Sequence, residues 1–72
     1  MPYFFVVIDG DPVEAAGLLA VAGIQNLVRT DAAYGAVAIA RLSAEDAEGA
    51  LGRVRLALEG EPFTVAEAVP ER

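Results

Sequence analysis

The pattern of apolar and polar positions divides the chain into six segments. Residues 3–8 are β-branched or aromatic throughout and predict a strand that is apolar on both faces. A strand of this kind is normally covered on both sides. Further strand patterns occupy 24–30, 36–42 and 63–69, and helical patterns occupy 12–22 and 44–59. The predicted order of elements is therefore βαββαβ.

Residues with capping preferences define the predicted helix ends. Asp11, Pro12 and Glu14 form a capping box with proline at the first helical position, and Gly23 is expected to end this helix in a left-handed conformation. Ser43 begins an S-x-x-D motif and predicts the start of the second helix. Gly60 is expected to stop that helix, and 70–72 are expected to fray.

The βαββαβ order predicts one domain over residues 1–72. Two βαβ halves with right-handed crossovers form an α+β ferredoxin-like sandwich. In this fold a four-stranded antiparallel sheet carries both helices on one face. The opposite face is left uncovered.

The uncovered face predicts association with another chain. The third strand has small residues on one side and larger apolar residues on the other: Ala36, Ala38 and Ala40 against Val37 and Ile39. Small alanines would let a second sheet approach closely, and a bare apolar face is an aggregation hazard in a monomer. We therefore predict a homodimer or larger oligomer, with edge-to-edge strand pairing as the competing geometry.

Composition supports a partner chain as the source of additional stability. The chain has 72 residues with no Cys and no His, which excludes disulfides and the usual zinc ligand sets. A domain of this size rarely gains more than a few kcal/mol from its own core. Its apolar fraction of 56% and mean hydropathy of +0.46 are high for a small isolated domain.

The charge and the short apolar runs exclude two classes of partner. The net charge is −6, all five basic residues are arginine, and no basic patch with aromatic residues is present, so nucleic-acid binding is not expected. The apolar runs fall short of the roughly 20 residues that span a bilayer, so no membrane segment is expected. The N-terminus lacks a basic stretch, and the expected location is the cytoplasm.

The sequence offers little for catalysis or metal binding. Because His, Cys and Lys are absent and Ser43, the only serine, is assigned to a helix cap, we predict a non-enzyme without a cofactor. Asp9, Asp11 and Glu14 are clustered, but Pro12 interrupts them and no calcium-type loop surrounds them. We interpret this segment as a helix start and expect no metal.

The same helix start is also the predicted location of a small-molecule site. Backbone N–H groups near Gly10 and Asp11 could hold a carboxylate, while the nearby acidic side chains favour a ligand with a positive end, such as an amino acid. Gln25 and Asn26 open the second strand with amide groups. We predict these four residues as ligand-binding, with simple edge-strand polarity as the alternative for the amides.

Two short motifs resemble the ACT domain family. Asp11-Pro12 opens the first helix and Ala22-Gly23-Ile24 leads into the second strand, as in that family. Val13 stands where the family has Gly, and Gln25 where it has Asn. The resemblance implies a βαββαβ module that binds amino acids or related metabolites at a dimer interface and regulates enzymes.

Three functional hypotheses follow. The first is a non-catalytic regulatory or ligand-binding module that acts as a homodimer. The second is a structural or protein-interaction subunit that uses the open sheet face or an edge strand. The third is a dimeric α+β barrel enzyme. The chain also resembles this group of proteins, to which the apolar first strand is suited.

Overall fold

A computed structural model describes residues 1–31, 35–59 and 63–71. The elements are β1 (Tyr3–Asp9), α1 (Pro12–Val21), β2 (Gln25–Asp31), β3 (Gly35–Ser43), α2 (Ala47–Ala57) and β4 (Thr64–Pro70). The predicted element order is confirmed, and most boundaries lie within one or two residues of the predicted ones. Tyr34, which lies between the second and third predicted strands, and the predicted helix stop at Gly60 lie outside the described residues.

The strands form one antiparallel sheet. Its four strands have the order β2-β3-β1-β4, and each neighbouring pair is antiparallel. β1 pairs with β3 in unbroken register from Tyr3–Ser43 to Ile8–Ala38. The ladder between β1 and β4 shifts register between Val6 and Ile8. The molecule is a small α+β fold in which two helices accompany an antiparallel sheet.

The core lies between one face of the sheet and the two helices. β1 contributes three large side chains, β3 contributes two alanines and a leucine, and both helices bury one side against them. The buried residues of these elements are Phe4, Val6, Ile8, Ala38, Ala40, Leu42, Ala15, Leu19, Ala50 and Val54. Because α1 and α2 pack on the same cluster, no helix of the described ranges lies on the opposite face of the sheet.

Ala38 and Ala40 of β3 face the helices, so a second sheet cannot pack against them. Val6 pairs with Ala40 and Ile8 with Ala38, and directly opposed residues share a face of the sheet. Both alanines are fully buried under the helices. Their small size lets the helices, rather than a second sheet, approach the strand. The open face instead carries the larger Val37 and Ile39.

The ends of α1 follow the prediction. The Asp11 carboxylate accepts hydrogen bonds from the Val13 and Glu14 N–H groups at 3.0 and 3.2 Å. At the other end Gly23 has φ of +76°, and the Ile24 N–H donates to the Leu19 carbonyl at 2.9 Å. This pairing is a Schellman motif, which needs the left-handed residue that glycine provides.

Two predictions near the other segment ends were wrong. The N-cap of α2 is Asp46, which accepts from the Gly49 N–H at 2.7 Å, whereas Ser43 is the last residue of β3 and pairs with Tyr3. Pairing with β1 extends β3 past the predicted helix start. The tail is also ordered through Glu71, whose N–H donates to the Tyr3 carbonyl at 2.9 Å.

The cap at Asp11 can be tested by substitution. Asp11→Ala is expected to lower the free energy of unfolding by about 1 kcal/mol, because two N–H groups at the start of α1 lose their acceptor. Asp11→Asn, which keeps an acceptor oxygen, should stay close to the wild type. Urea unfolding followed by circular dichroism measures both. Equal stability of the alanine and asparagine variants would contradict the capping role.

Candidate functional site

The four predicted ligand residues lie at two different ends of the sheet. Gly10 and Asp11 follow the last residue of β1, whereas Gln25 and Asn26 begin β2. Gln25 pairs with Arg41, close to the position where Ser43 meets the first residue of β1. One protomer therefore does not bring all four residues together, and a site that uses all of them needs two subunits.

The Gly10 end is closely covered. Gly10 has φ of +144°, a backbone conformation that favours glycine. The ring of Phe63 lies against it, and its Cδ1 would be 2.5 Å from a Cβ at this position. The Asp11 carboxylate occupies two N–H groups of the α1 start. Cap and ring both limit the space in which this end could hold an anion.

The two amide side chains have different environments. Consecutive strand residues point to opposite faces, so Gln25 lies on the open face of the sheet and Asn26 on the helix side. Asn26 Nδ2 donates to the Ile24 carbonyl at 3.1 Å, which closes a local turn. Gln25 Oε1 accepts from Arg41 Nη1 at 3.0 Å. Gln25 thus belongs to a longer-range polar network.

Arg41 is the centre of that network. Its Nε and Nη2 donate to the two carboxylate oxygens of Glu71 at 2.7 and 3.3 Å. The guanidinium carbon also lies 3.9 Å from the centroid of the Tyr3 ring, in a cation–π contact. The hydrogen bond to Glu71 raises the pKa of Arg41, although desolvation acts in the opposite direction. Arg41 is therefore held as an oriented, permanently charged group.

A polar recess lies beside Arg41, where the sheet meets the helix layer. We call it the Arg41 recess; it has a volume of about 220 Å³, and its lining includes Tyr3, Gly23, Gln25, Arg41, Ser43 and Arg53. Arg53 projects from α2, and its Nη1 donates to the Ser43 carbonyl at 2.9 Å. Two guanidinium groups thus line one small recess in a chain whose net charge is −6.

The open face of the sheet is the second candidate site. Its apolar side chains come from all four strands and are Tyr3, Phe5, Val7, Leu27, Val37, Ile39 and Val69. Several are strongly exposed, including Leu27 at 51% and Val69 at 48%. A shallow depression of about 410 Å³ lies over Phe5, Val7 and Ile39, with Arg29 at its side. This surface is suited to contact with another apolar surface rather than with water.

Within the described ranges no helix is long and apolar enough to cross a membrane. The same part of the chain contains no group of three or more acidic side chains placed to hold a metal ion.

Sequence reasoning did not identify the polar network around Arg41. Glu71 and Gln25 are 30 and 16 residues away from Arg41 along the chain, so no local motif joins them. The only available signal was the sheet register, which places Gln25 opposite Arg41 once β2 and β3 are paired as neighbours. Arg53 was assigned to no site from the sequence, and its contact with Ser43 forms because α2 packs beside the end of β3.

The resemblance to the ACT domain family stays a prediction. The chain matches no protein-family model, and no curated protein or solved structure matches it significantly.

Proposed function

We propose that this chain is a non-catalytic regulatory or ligand-binding module of the ferredoxin-like fold that acts as a homodimer. Its βαββαβ order and the sheet order β2-β3-β1-β4 support the fold assignment. An amino acid or a related metabolite is the proposed ligand. The absence of His, Cys and Lys from the sequence supports a binding role over catalysis.

The open sheet face is the observation that carries the dimer proposal. Phe5, Val7 and Ile39 lie at its centre and are only half-buried in the protomer. Each Å² of apolar surface removed from water contributes about 25 cal/mol, so covering this face would offset part of the entropy cost of association. Two sheets packed face to face bury such side chains in a layer about 10 Å thick.

A second copy of the chain is the simplest partner for this face. A two-fold interface uses the same patch on both subunits, and a broad apolar patch that crosses all four strands can meet itself in this way. The charged helix starts lie elsewhere: Asp11 and Asp46 cap the helices on the other layer of the molecule. Face-to-face packing therefore keeps these carboxylates in water.

Leu27→Glu tests the proposed interface. Leu27 is 51% exposed, so the protomer should tolerate the change, whereas a sheet-to-sheet interface would have to take the new carboxylate out of water. We expect the dimer dissociation constant to rise at least about tenfold, because taking a carboxylate out of water costs several kcal/mol and Arg29 on the same face offsets only part of that cost. Sedimentation equilibrium over a range of concentrations measures the effect.

Val21→Glu is the matched control for Leu27→Glu. Val21 is 90% exposed at the end of α1, on the helix layer, and its substitution should leave the dissociation constant within about twofold. A wild-type chain that stays monomeric at high micromolar concentration would overturn the dimer proposal. Equal weakening by both variants would place the interface elsewhere.

The same face also supports the second hypothesis, a protein-interaction subunit. In that case the isolated wild-type chain is monomeric, and the face binds a different protein. Both edge strands, β2 and β4, would remain available for strand addition. The sedimentation experiment separates the hypotheses, because only the homodimer associates when purified alone.

A further inference from the structure

We infer that the Arg41 recess binds a small molecule through a carboxylate group, which Arg41 and Arg53 hold between them. The inference rests on the proposed ligand-binding function and gives that function a place and a ligand class. The recess lies at the end of β3 remote from Gly10 and Asp11, so it is a different location from the α1 start.

The two guanidinium groups have hydrogen-bonding capacity to spare. A guanidinium carries five N–H donors in a planar fork. In the described part of the chain, three N–H groups of Arg41 donate to Glu71 and Gln25, Tyr3 also contacts this guanidinium, and one N–H group of Arg53 donates to the Ser43 carbonyl. The remaining donors belong to groups that line one recess. Planar forks of this type match carboxylate oxygens in a bidentate manner.

Arg41 already binds one carboxylate, that of Glu71, in the way proposed for the ligand. Glu71 offers both of its carboxylate oxygens to one edge of the Arg41 guanidinium, at 2.7 and 3.3 Å. The pair is partly exposed, with side-chain accessibilities of 33% and 31%, so an incoming carboxylate can compete with Glu71. Glu71 is thus an internal competitor that limits the affinity for a ligand.

The local charge and volume restrict the class of ligand. Two arginines and one glutamate leave the recess with a net positive charge although the whole chain carries −6. A volume of about 220 Å³ has room for several water molecules, which suits a metabolite of amino-acid size. Tyr3 and Gln25 line the same recess and offer an aromatic surface and an amide to the rest of the ligand.

Titration of the ¹⁵N-labelled wild-type protein with L-glutamate, succinate and acetate tests the inference. We expect saturable chemical-shift changes confined to Tyr3, 23–25, Arg41 and Arg53, at ionic strength matched with sodium chloride. Sodium phosphate is the competing anion class and should bind more weakly than the carboxylates. Absence of localised, saturable changes, or tighter binding of phosphate, would overturn the carboxylate assignment.

Three variants make the test specific to the recess. Arg53→Gln should weaken binding of the best carboxylate probe at least tenfold, whereas Arg55→Gln, two residues further along α2, should change it less than twofold. Glu71→Gln should strengthen binding several-fold, because it removes the competing carboxylate from Arg41. Equal losses for Arg53→Gln and Arg55→Gln would show an unspecific charge effect and overturn the inference, as would weaker binding in Glu71→Gln.

Sedimentation of the same samples separates this inference from the dimer proposal. A dimer that binds none of the carboxylate probes contradicts the recess assignment alone. A monomer that binds them through Arg53 supports the recess and contradicts only the dimer.

Discussion

Leu19→Ala is expected to lower the free energy of unfolding by about 2–5 kcal/mol and to leave much of the chain unfolded at room temperature. Leu19 is fully buried and is, with Ile8, Val6 and Val54, among the largest side chains with no exposed surface. α1 has only one other fully buried side chain, Ala15, among its residues. Truncating Leu19 therefore removes the main apolar contact between α1 and the sheet.

The size of the chain makes this loss severe. A single core in a domain of 72 residues rarely supplies more than about 3–5 kcal/mol of net stability. The cavity left by Leu19→Ala can therefore remove most of the free energy of unfolding. Thermal and urea unfolding at a fixed protein concentration measure the effect. The fixed concentration matters because association would add to the apparent stability.

Leu56→Ala is the matched control for Leu19→Ala. Leu56 belongs to α2 but is 71% exposed, and the same substitution there should cost less than about 0.5 kcal/mol. If the two variants were equally stable, Leu19 would not lie in the core. A large loss for Leu56→Ala alone would instead indicate that the exposed side of α2 is covered by a partner.

The second large effect is expected at Gly10. Gly10→Ala should lower the free energy of unfolding by about 2 kcal/mol or more, for two reasons. The φ of +144° is strained for any residue with a Cβ, at about 1–3 kcal/mol, and the added Cβ would lie 2.5 Å from the Phe63 ring. The ring must move for the variant to fold, which disturbs the packing where β1 leads into α1.

Gly17→Ala should have the opposite sign. Gly17 lies within α1, and a Cβ built there meets nothing within 4 Å. Alanine is preferred over glycine in a helix interior by about 0.5–1 kcal/mol, so this variant should be more stable than the wild type. Differential scanning calorimetry of both variants compares them directly. A neutral Gly10→Ala variant would contradict the close approach of Phe63.

Local sequence signals predicted most of the fold. Asp11 and Gly23 bound α1 as expected, because a cap depends on hydrogen bonds between residues at most five positions apart. The apolar run 3–8 is indeed a strand between two others. The helix cap predicted at Ser43 does not form, because a non-local interaction, the pairing of Ser43 with Tyr3, competes with the local motif.

The candidate sites were predicted less well. Gln25 was singled out from the sequence, and it does line the Arg41 recess, but Gly10 and Asp11 lie at the other end of the sheet. Arg41, which contacts Gln25, and Glu71, which contacts Arg41, were assigned to no site from the sequence. Residues 70–72 were expected to fray. The presence of a bare apolar face was predicted correctly, but its composition was not, because Ala38 and Ala40 lie under the helices.

By itself, the sequence determined the elements, their order, the caps of α1 and the exclusion of Cys- and His-based chemistry, since each depends on composition or on near neighbours along the chain. Only the tertiary structure decided which face of each strand is covered and which distant residues meet. A slip of one residue in strand register would exchange the two faces, moving Ala38 and Ala40 to the open side and Val37 and Ile39 into the core. The pairing of β1 with β3 sets that register and brings Arg41 close to Tyr3. The pairing of β2 with β3 brings Gln25 to Arg41, and the backbone hydrogen bond from Glu71 to Tyr3 holds Glu71 beside them.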